Sequence, residues 1–197
     1  MTPRENRIDL TSFVRYKFFN ALFMGLSVGS IFIIYAPLPP SVYSLGGIVL
    51  ALSMLAIAKL YVHILNRIWF YRISLFVELV MLVLVLYFLS TSYGYATALF
   101  IYAGYQLTFA FGSYLVRAET VLIEEAEALS RLDVAKQLGY LAGMVVSYLF
   151  YKLLETAYGL SDHQRQVYDL HYLLLMTELA VLFFLYKAFH PKTETIT

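Results

Sequence analysis

The chain has 197 residues, of which 61% are hydrophobic and only 14% charged, with 14 Lys and Arg against 13 Asp and Glu. A soluble domain is about 45–50% apolar and about 25% charged, so this composition excludes an ordinary soluble enzyme, a nucleic-acid-binding protein and a disordered chain. The absence of cysteine excludes disulfides and thiolate chemistry. The composition therefore predicts an all-α polytopic protein of the lipid bilayer.

The apolar segments predict six transmembrane helices, because a spanning helix takes about 20 residues. The first two come from an uncharged run, residues 18–58, which Pro37, Pro39 and Pro40 interrupt with a turn. The predicted transmembrane domain, 15–190, lies between an N-terminal segment 1–14 and a tail 191–197. Its predicted spans are 15–36, 42–63, 70–90, 96–116, 137–157 and 168–187, with a charged loop at 117–136.

Lys and Arg concentrate on one side of this predicted topology. Only Lys152 and Arg165 fall on the other side. Cytoplasmic loops carry the excess of Lys and Arg, so both termini are expected in the cytoplasm, with the protein in an inner membrane. The residues on the side of the termini are Arg4, Arg7, Arg15, Lys17, Lys59, Arg67, Arg72, Arg117, Arg131, Lys136, Lys187 and Lys192.

Two sets of three spans divide near residue 95, and the third span of each set carries one central glutamate, Glu78 or Glu178. An odd number of crossings inverts the second set, and inverted three-helix repeats recur in transporters. The sequence thus predicts two inverted three-helix repeats. A charge at mid-membrane is costly and usually faces a bundle interior or cavity, so both glutamates are candidates for proton coupling. The alternative is that they only tie helices together by hydrogen bonds.

The charged loop predicts a helical segment of its own. Apolar residues interleave with charged ones at roughly helical spacing, and Glu127 precedes Arg131 by four residues, the favourable order for a helical ion pair. We expect an amphipathic extension of span four at the cytoplasmic surface. Its role is either that of a solvated connector or that of a gate or docking site.

Two Gly-x-x-x-Gly pairs predict close helix contacts. Gly25 and Gly29 lie in span one, and Gly139 and Gly143 lie in span five. Small residues at this spacing allow helix backbones to approach closely in a membrane. The contact is expected either inside one subunit or at the seam of a dimer.

The order of these features resembles the N-terminal six-helix half of a major facilitator superfamily transporter. That half has six spans, cytoplasmic termini, a basic second loop and a charged fourth loop. In the family's loop-two motif an Asp-Arg pair precedes a Gly and further basic residues. Here Arg67 matches the motif Arg and Arg72 falls near its basic end, while Asn66 and Trp69 stand at the Asp and Gly positions. Residues 131–143 resemble the family's start of span five.

The resemblance implies a transporter whose two halves are related by an axis along the membrane normal. The chain is then expected to act as a homodimer, or with a second half-sized chain, on a small-molecule solute. Spans one and four line the family's cavity, and their aromatic residues favour an apolar or aromatic solute. Substrate-contact candidates are therefore Asn20, Gln106, Tyr102 and Tyr105. Loop residues that are candidates for gating are Arg67, Arg72, Arg117, Glu119, Arg131 and Asp133.

Catalytic motifs are missing from the sequence. It has no Ser-His-Asp set in a membrane context, no HExxH and no phosphate-binding loop, so we expect no enzyme activity, no cofactor and no metal site. Two alternatives to a transporter stay open. One is a substrate-binding membrane subunit, similar to the S-components of vitamin importers, that docks on energising proteins through small-residue helix faces. The other is an accessory membrane protein without transport activity.

Overall fold

The structure, a computed structural model, describes residues 8–191. Arg4, Arg7 and Lys192, which contribute to the predicted orientation, lie outside the described residues, as do the rest of 1–7 and 192–197. Every regular element of the described chain is an α-helix. These helices are α1 (Leu10–Ile34), α2 (Pro40–Lys59), α3 (Tyr61–Ile64), α4 (Arg67–Ser90), α5 (Tyr95–Ala110), α6 (Gly112–Leu122), α7 (Ala126–Tyr158) and α8 (His163–Phe189).

Within residues 8–191, five helices are long and apolar enough to cross a membrane: α1, α2, α4, α8 and the continuous stretch Tyr95–Leu122, formed by α5 and α6. They indicate a helical membrane protein, as the composition predicts. The predicted span 137–157 lies within α7, which is not one of the five. The 33 residues of α7 include a charged first third, and Lys152 and Glu155 near its end.

The helix ends are set by capping, and this explains where they differ from the predicted spans. α1 begins at Leu10 rather than near residue 15, because the carboxylate of Asp9 accepts a hydrogen bond from the backbone N–H of Thr11 at 3.1 Å. Asn66 caps α4 in the same way, accepting from the N–H of Trp69 at 3.1 Å. Each cap satisfies a backbone donor that the helix itself leaves unpaired.

The predicted loop 117–136 is divided between two helices. α6 extends the fourth span to Leu122, as the sequence predicts, but residues 126–136 extend the following helix, α7, instead. The break falls at Ile123, whose backbone leaves the helical region and whose side chain is buried in the core. The amphipathic extension of the fourth span therefore ends where the chain turns Ile123 into the core.

Side-chain contacts give the helix directions. α1 runs parallel to α7, because Phe18 lies against Gly139 and, further along, Gly29 lies against Tyr151. α8 runs antiparallel to α1, because the N–H of Asp9 donates to the carbonyl oxygen of Ala188 at 2.8 Å. We name the end of the bundle where α1, α4 and α7 begin the charged end, and the opposite end the distal end. Both ends of the described chain therefore meet at the charged end.

The helices pack in the order α7, α1, α8, α4, α5 with α6, and α2. α1 packs most extensively, against α7 and α8, while α4 connects α8 to α5 and α6. α2 packs mainly on α5 and has no buried residue. The bundle is therefore tight around α1 and open around α2.

Glycines bring the backbones of α1 and α7 into contact. A Cβ atom on Gly25 would collide with the carbonyl oxygen of Tyr140, and one on Gly143 would collide with that of Leu22. A Cβ atom on Gly139 would likewise meet the carbonyl oxygen of Phe18. The close approach that the glycine pairs predict is thus made within one chain.

We predict that Gly143→Ala destabilises the protein by about 1–3 kcal/mol, the usual cost of forcing extra atoms into a packed core. The measurement is the free energy of unfolding in mixed micelles. The matched control is Gly47→Ala on α2, where an added Cβ meets nothing within 4 Å; alanine favours the helix there by about 0.5–1 kcal/mol. Equal stabilities of the two variants would contradict the α1–α7 contact.

Candidate functional site

A polar layer crosses the bundle between two apolar clusters. One cluster, with Phe13 and Leu185, fills the charged end, and the other, with Phe23 and Leu174, fills the distal part. Along three helices a buried polar residue lies between these clusters, and both glutamates are only 1% exposed. The layer consists of Asn20 on α1, Glu78 on α4 and Glu178 on α8.

Glu78 is held by two donors from α1. The hydroxyl of Tyr16 donates to Oε1 of Glu78 at 2.7 Å, and the amide Nδ2 of Asn20 donates to the same oxygen at 3.0 Å. The second oxygen, Oε2, is buried and has no hydrogen-bond partner among the described residues. One side of this carboxyl group is therefore fixed, and the other is available to a proton or an ion.

Glu178 faces the same interior from α8. Its Oε1 is also buried without a hydrogen-bond partner in the described chain, and the side chain is close enough to Glu78 for the two charges to interact. Two ionised carboxyl groups in a low-dielectric interior repel each other strongly, and a bound proton removes that repulsion. The pair can therefore take up and release a proton.

The four predicted substrate contacts separate into two places. Asn20 and Tyr105 belong to the interior, where Asn20 binds Glu78 and Tyr105 lies near Glu178. Tyr102 and Gln106 instead line an apolar groove between α2 and α5, which has a cavity volume of about 560 Å³. The amide oxygen of Gln106 is buried there without a partner from residues 8–191. Two polar groups thus converge on an apolar groove of the size that small ligands use.

An ion cluster joins three helices at the charged end. Nζ of Lys17 on α1 lies 2.7 Å from a carboxylate oxygen of Glu119 on α6. Lys136 on α7 contacts the other oxygen of Glu119 and also pairs with Asp133 at 3.1 Å. The side chains of Lys17 and Glu119 are only 11% and 5% exposed, so this pair is largely withdrawn from water.

The charge on Lys136 is stabilised by this cluster. Burial disfavours its ammonium form, but hydrogen bonds and charge from Glu119 and Asp133 outweigh burial and raise the pKa of Lys136 above its ordinary value. The cluster therefore stays ionised at neutral pH on its α7 side.

The remaining gating candidates do not join the cluster. Nη2 of Arg67 donates to the carbonyl oxygen of Phe189 at 2.7 Å, so Arg67 fastens the start of α4 to the end of α8. Arg72 lies over the ring of Trp69 on its own helix, 5.6 Å from the centroid. Arg117 and Arg131 are exposed. Among the predicted gating residues, Glu119 and Asp133 alone share one network.

Two residues of the site are absent from the predicted candidates. Tyr16 donates the shorter bond to Glu78, and Lys17 forms the buried ion pair. The sequence could have pointed to Tyr16, because Tyr16 precedes Asn20 by four residues and therefore lies on the same face of α1. Nothing comparable points to Lys17, because in the sequence it resembles the other basic residues that flank span one.

Fold and site together define a class: a helical membrane protein whose interior holds two carboxyl side chains. Comparison of the chain with protein-family models, with curated proteins and with solved structures finds no match. Among residues 8–191 no group of three or more His, Cys, Asp and Glu side chains is placed to hold a metal ion. The assignment of function therefore depends on the residues of the site.

We predict that Glu119→Gln costs about 3–5 kcal/mol of unfolding free energy, because it leaves the largely buried Lys17 without its counter-charge. Asp133→Asn is the matched control: its carboxylate also pairs with Lys136 but is 72% exposed, and we expect a change within about 0.5 kcal/mol. Chemical unfolding of the two variants side by side measures the difference. A similar small effect for both would show that Glu119 is not a structural ion-pair partner.

Proposed function

We propose that this protein is a membrane transporter, or half of one, for a small apolar or aromatic solute, working as a dimer and coupled to protons. The observation that carries the proposal is the pair Glu78 and Glu178, buried at mid-height of the bundle, each with one carboxyl oxygen that has no hydrogen-bond partner among the described residues. Ionisable residues inside a membrane are expensive to keep and mark ion or proton pathways.

Six crossings are supported by the course of the chain. The fourth apolar stretch ends at the charged end, where the hydroxyl of Tyr114 donates to the carbonyl oxygen of Ile64, just before α4. α8 starts at the distal end, where Tyr168 donates to the carbonyl oxygen of Leu89. The chain between them must pass from one end to the other, and α7 does so in backbone contact with α1. We therefore assign α7 as the remaining one of six spans, the fifth in chain order.

The packing order supports two inverted repeats. Exchanging α1 with α5 and α6, α2 with α7, and α4 with α8 leaves the sequence of neighbours unchanged. The contact of α4 with α8 lies at the centre of this order, and it carries Glu78 and Glu178. A repeat of this kind agrees with the resemblance to half of a major facilitator transporter and with a site at the repeat interface.

The groove between α2 and α5 is the proposed solute site. It is lined mainly by apolar side chains, with Ser53, Tyr102 and Gln106 as its polar residues; the Ser53 hydroxyl donates to the carbonyl oxygen of Val49 on its own helix. Such a lining suits an apolar or aromatic solute that offers one hydrogen-bond donor.

We propose that a second copy of the chain, or a second half-sized chain, packs against α2 on the open side of the bundle. α2 has no buried residue and packs mainly on α5, so a large apolar face of this helix has no partner among residues 8–191. Two copies related by an axis along the membrane normal would keep the same orientation and enclose the groove. The excess of Lys and Arg at the charged end supports cytoplasmic termini in an inner membrane.

The proton function follows from the unequal surroundings of the two carboxyl groups. Glu78 has two hydrogen-bond donors, which stabilise its ionised form, whereas no donor reaches Oε1 of Glu178 from the described residues. A single proton held by the pair therefore resides on the Glu178 side. Solute binding that alters the α4–α8 contact would change the spacing of the pair and release or capture that proton.

The S-component-like alternative needs small-residue helix faces for docking. The glycines that could supply them, Gly25, Gly139 and Gly143, are occupied by the contact between α1 and α7. The number and mass of the subunits in lipid, the last prediction of this subsection, test this alternative and that of an accessory protein without transport activity.

We predict that Glu78→Gln or Glu178→Gln abolishes proton-coupled solute movement while the protein still folds, since glutamine keeps the shape but cannot carry the proton. Proteoliposomes with a pH-sensitive dye inside are given a panel of small aromatic and aliphatic solutes. The control is Glu155→Gln, which removes an exposed carboxylate paired with Lys152 at 2.7 Å and is expected to leave the flux unchanged. Normal flux in both interior variants would eliminate the proton role.

We predict two chains per particle when the protein is reconstituted in lipid nanodiscs and its native mass is measured. A dimer supports the two-half transporter. A single chain would contradict the homodimer, and a companion of different mass would identify either a second half or an energising module. The nanodisc is made wide enough for twelve spans, so that its size does not select the monomer.

A further inference from the structure

A second groove, between α1 and α7 at the charged end, is separate from the carboxyl pair and from the groove of α2 and α5. It has a cavity volume of about 440 Å³, which is within the range of small-ligand sites. Its two walls are the parallel helices α1 and α7. The residues that matter for its chemistry are Arg15 and Phe18 on α1, and Ser130, Arg131, Val134 and Leu138 on α7.

The groove is polar toward the charged end and apolar further along. On α7, Arg131 lies near the start of the helix, and Leu138 lies two turns beyond it. On α1, Arg15 lies about one turn before Phe18. Side chains of an α-helix lean toward its N-terminus, and both helices begin at the charged end. The two arginine side chains therefore lean toward the surface, while the apolar walls lie deeper.

The two arginines have donors available for an anion. Both are exposed, and neither forms an ion pair within residues 8–191. Glu127, one turn before Arg131, does not pair with it in this part of the chain either. The guanidinium group of Arg15 lies over the ring of Phe184, 5.8 Å from the centroid, a cation–π contact that uses none of its N–H donors. Two positive charges thus lie at the groove without a counter-charge in the described chain.

The depth of the groove matches one leaflet of a bilayer. Gly139 of α7 lies against the backbone of Phe18 and beside Ala21, so it marks the level of Asn20 and of the polar layer at mid-height. Arg131 lies eight residues nearer the charged end, which is about 12 Å along a helix. Half of the hydrocarbon core of a bilayer is about 15 Å thick. Arg131 is therefore placed at the level where phospholipid headgroups begin.

An apolar stripe continues the groove toward the middle of the bundle. Val134, Leu138, Leu141 and Val145 follow one another at the spacing of one helix face, and they are 48% to 55% exposed. Val134 and Leu138 line the groove, and the other two lie beyond it. An acyl chain that leaves the groove therefore keeps an apolar surface beside it.

We propose that this groove binds an anionic phospholipid of the surrounding membrane, with its phosphate group held by Arg15 and Arg131 and one acyl chain against the apolar wall of α7. The fork of N–H donors on arginine matches the oxygen atoms of a phosphate group, and the hydroxyl of Ser130 offers a further donor. Basic pockets between transmembrane helices bind anionic headgroups in this way. The assignment rests on α7 as a membrane span and is independent of solute or proton transport.

The test measures which lipid occupies the groove by the quenching of a single tryptophan. The reporter chain carries Leu141→Trp, just beyond the groove, and Trp69→Phe, which removes the one native tryptophan. It is reconstituted in phosphatidylcholine vesicles, into which phosphatidylglycerol or phosphatidylcholine with brominated acyl chains is titrated. Bromine quenches tryptophan at short range, so the mole fraction at half-maximal quenching measures the affinity for each lipid. The matched reporter is Met176→Trp on α8, which is 67% exposed and close in depth to Glu178.

We expect phosphatidylglycerol to be preferred about 25-fold at the Leu141→Trp reporter, because each of two basic residues near the membrane surface contributes about fivefold. The Met176→Trp reporter should show no such preference. Arg15→Gln and Arg131→Gln should each lower the preference about fivefold. Arg117→Gln is the matched control, since it removes one exposed charge at the same end but outside the groove, and it should leave the preference unchanged.

Val134→Phe tests the groove without changing any charge. Val134 is 55% exposed, so the fold has room for a larger side chain there, but the added ring occupies the groove. The preference for phosphatidylglycerol at the Leu141→Trp reporter should fall although both arginines remain.

Three results would overturn the assignment. Equal affinity of the two lipids at the Leu141→Trp reporter would show that no anionic headgroup is selected. Equal losses in Arg117→Gln and Arg131→Gln, with no effect of Val134→Phe, would show a general attraction of anionic lipid to the basic end. A Leu141→Trp reporter that neither lipid quenches, beside a quenched Met176→Trp reporter, would show that this face of α7 does not meet lipid, as when a second copy of the chain covers it.

Discussion

The interior of the bundle has to accommodate two buried carboxyl groups among apolar side chains, and its other contacts depend on this constraint. Placing Glu78 and Glu178 at the contact of α4 and α8 carries a desolvation cost that hydrogen bonds must offset in part. α1 supplies those bonds through Tyr16 and Asn20. Between the two apolar clusters, the polar layer is therefore the place where the positions of α1, α4 and α8 depend on one another.

The other contacts of α1 make this arrangement possible. Because Gly25, Gly139 and Gly143 have no side chain, α7 lies directly against the backbone of α1 on one side, while α8 packs on another. At the other end of the packing order, α2 and α5 have Gly46 against the ring of Tyr102, and the remaining space between them is the groove. The two outer helix pairs thus differ in closeness, and this difference produces one tight side and one open side.

At the charged end, ion pairs and hydrogen bonds are added to an apolar cluster, whereas the distal part is held mainly by apolar packing. Glu119 pairs with Lys17 of α1 and Lys136 of α7, and Arg67 joins α4 to the carbonyl group of Phe189 at the end of α8. Ion pairs and hydrogen bonds of this kind can break and re-form without loss of the apolar core. Under the proposed transport function, any opening of the bundle toward the charged end would act on these contacts.

The sequence by itself determined the helical membrane class, most helix positions and the two glutamates as the groups to examine. These depend on local quantities, namely hydropathy over about 20 residues, proline and cap residues, and the cost of a charge inside an apolar stretch. Tertiary structure alone decided that Tyr16 and Asn20 bind Glu78, that Lys17 meets Glu119 and that Gln106 lies in a groove away from Asn20. The partners in such contacts are 58 to 102 residues apart or on different helix faces, so no local pattern specifies them. The glycine pairs show how far the sequence can predict a contact. Their spacing predicts a close approach of helices, but only the packed bundle shows that this approach joins α1 to α7 within one chain.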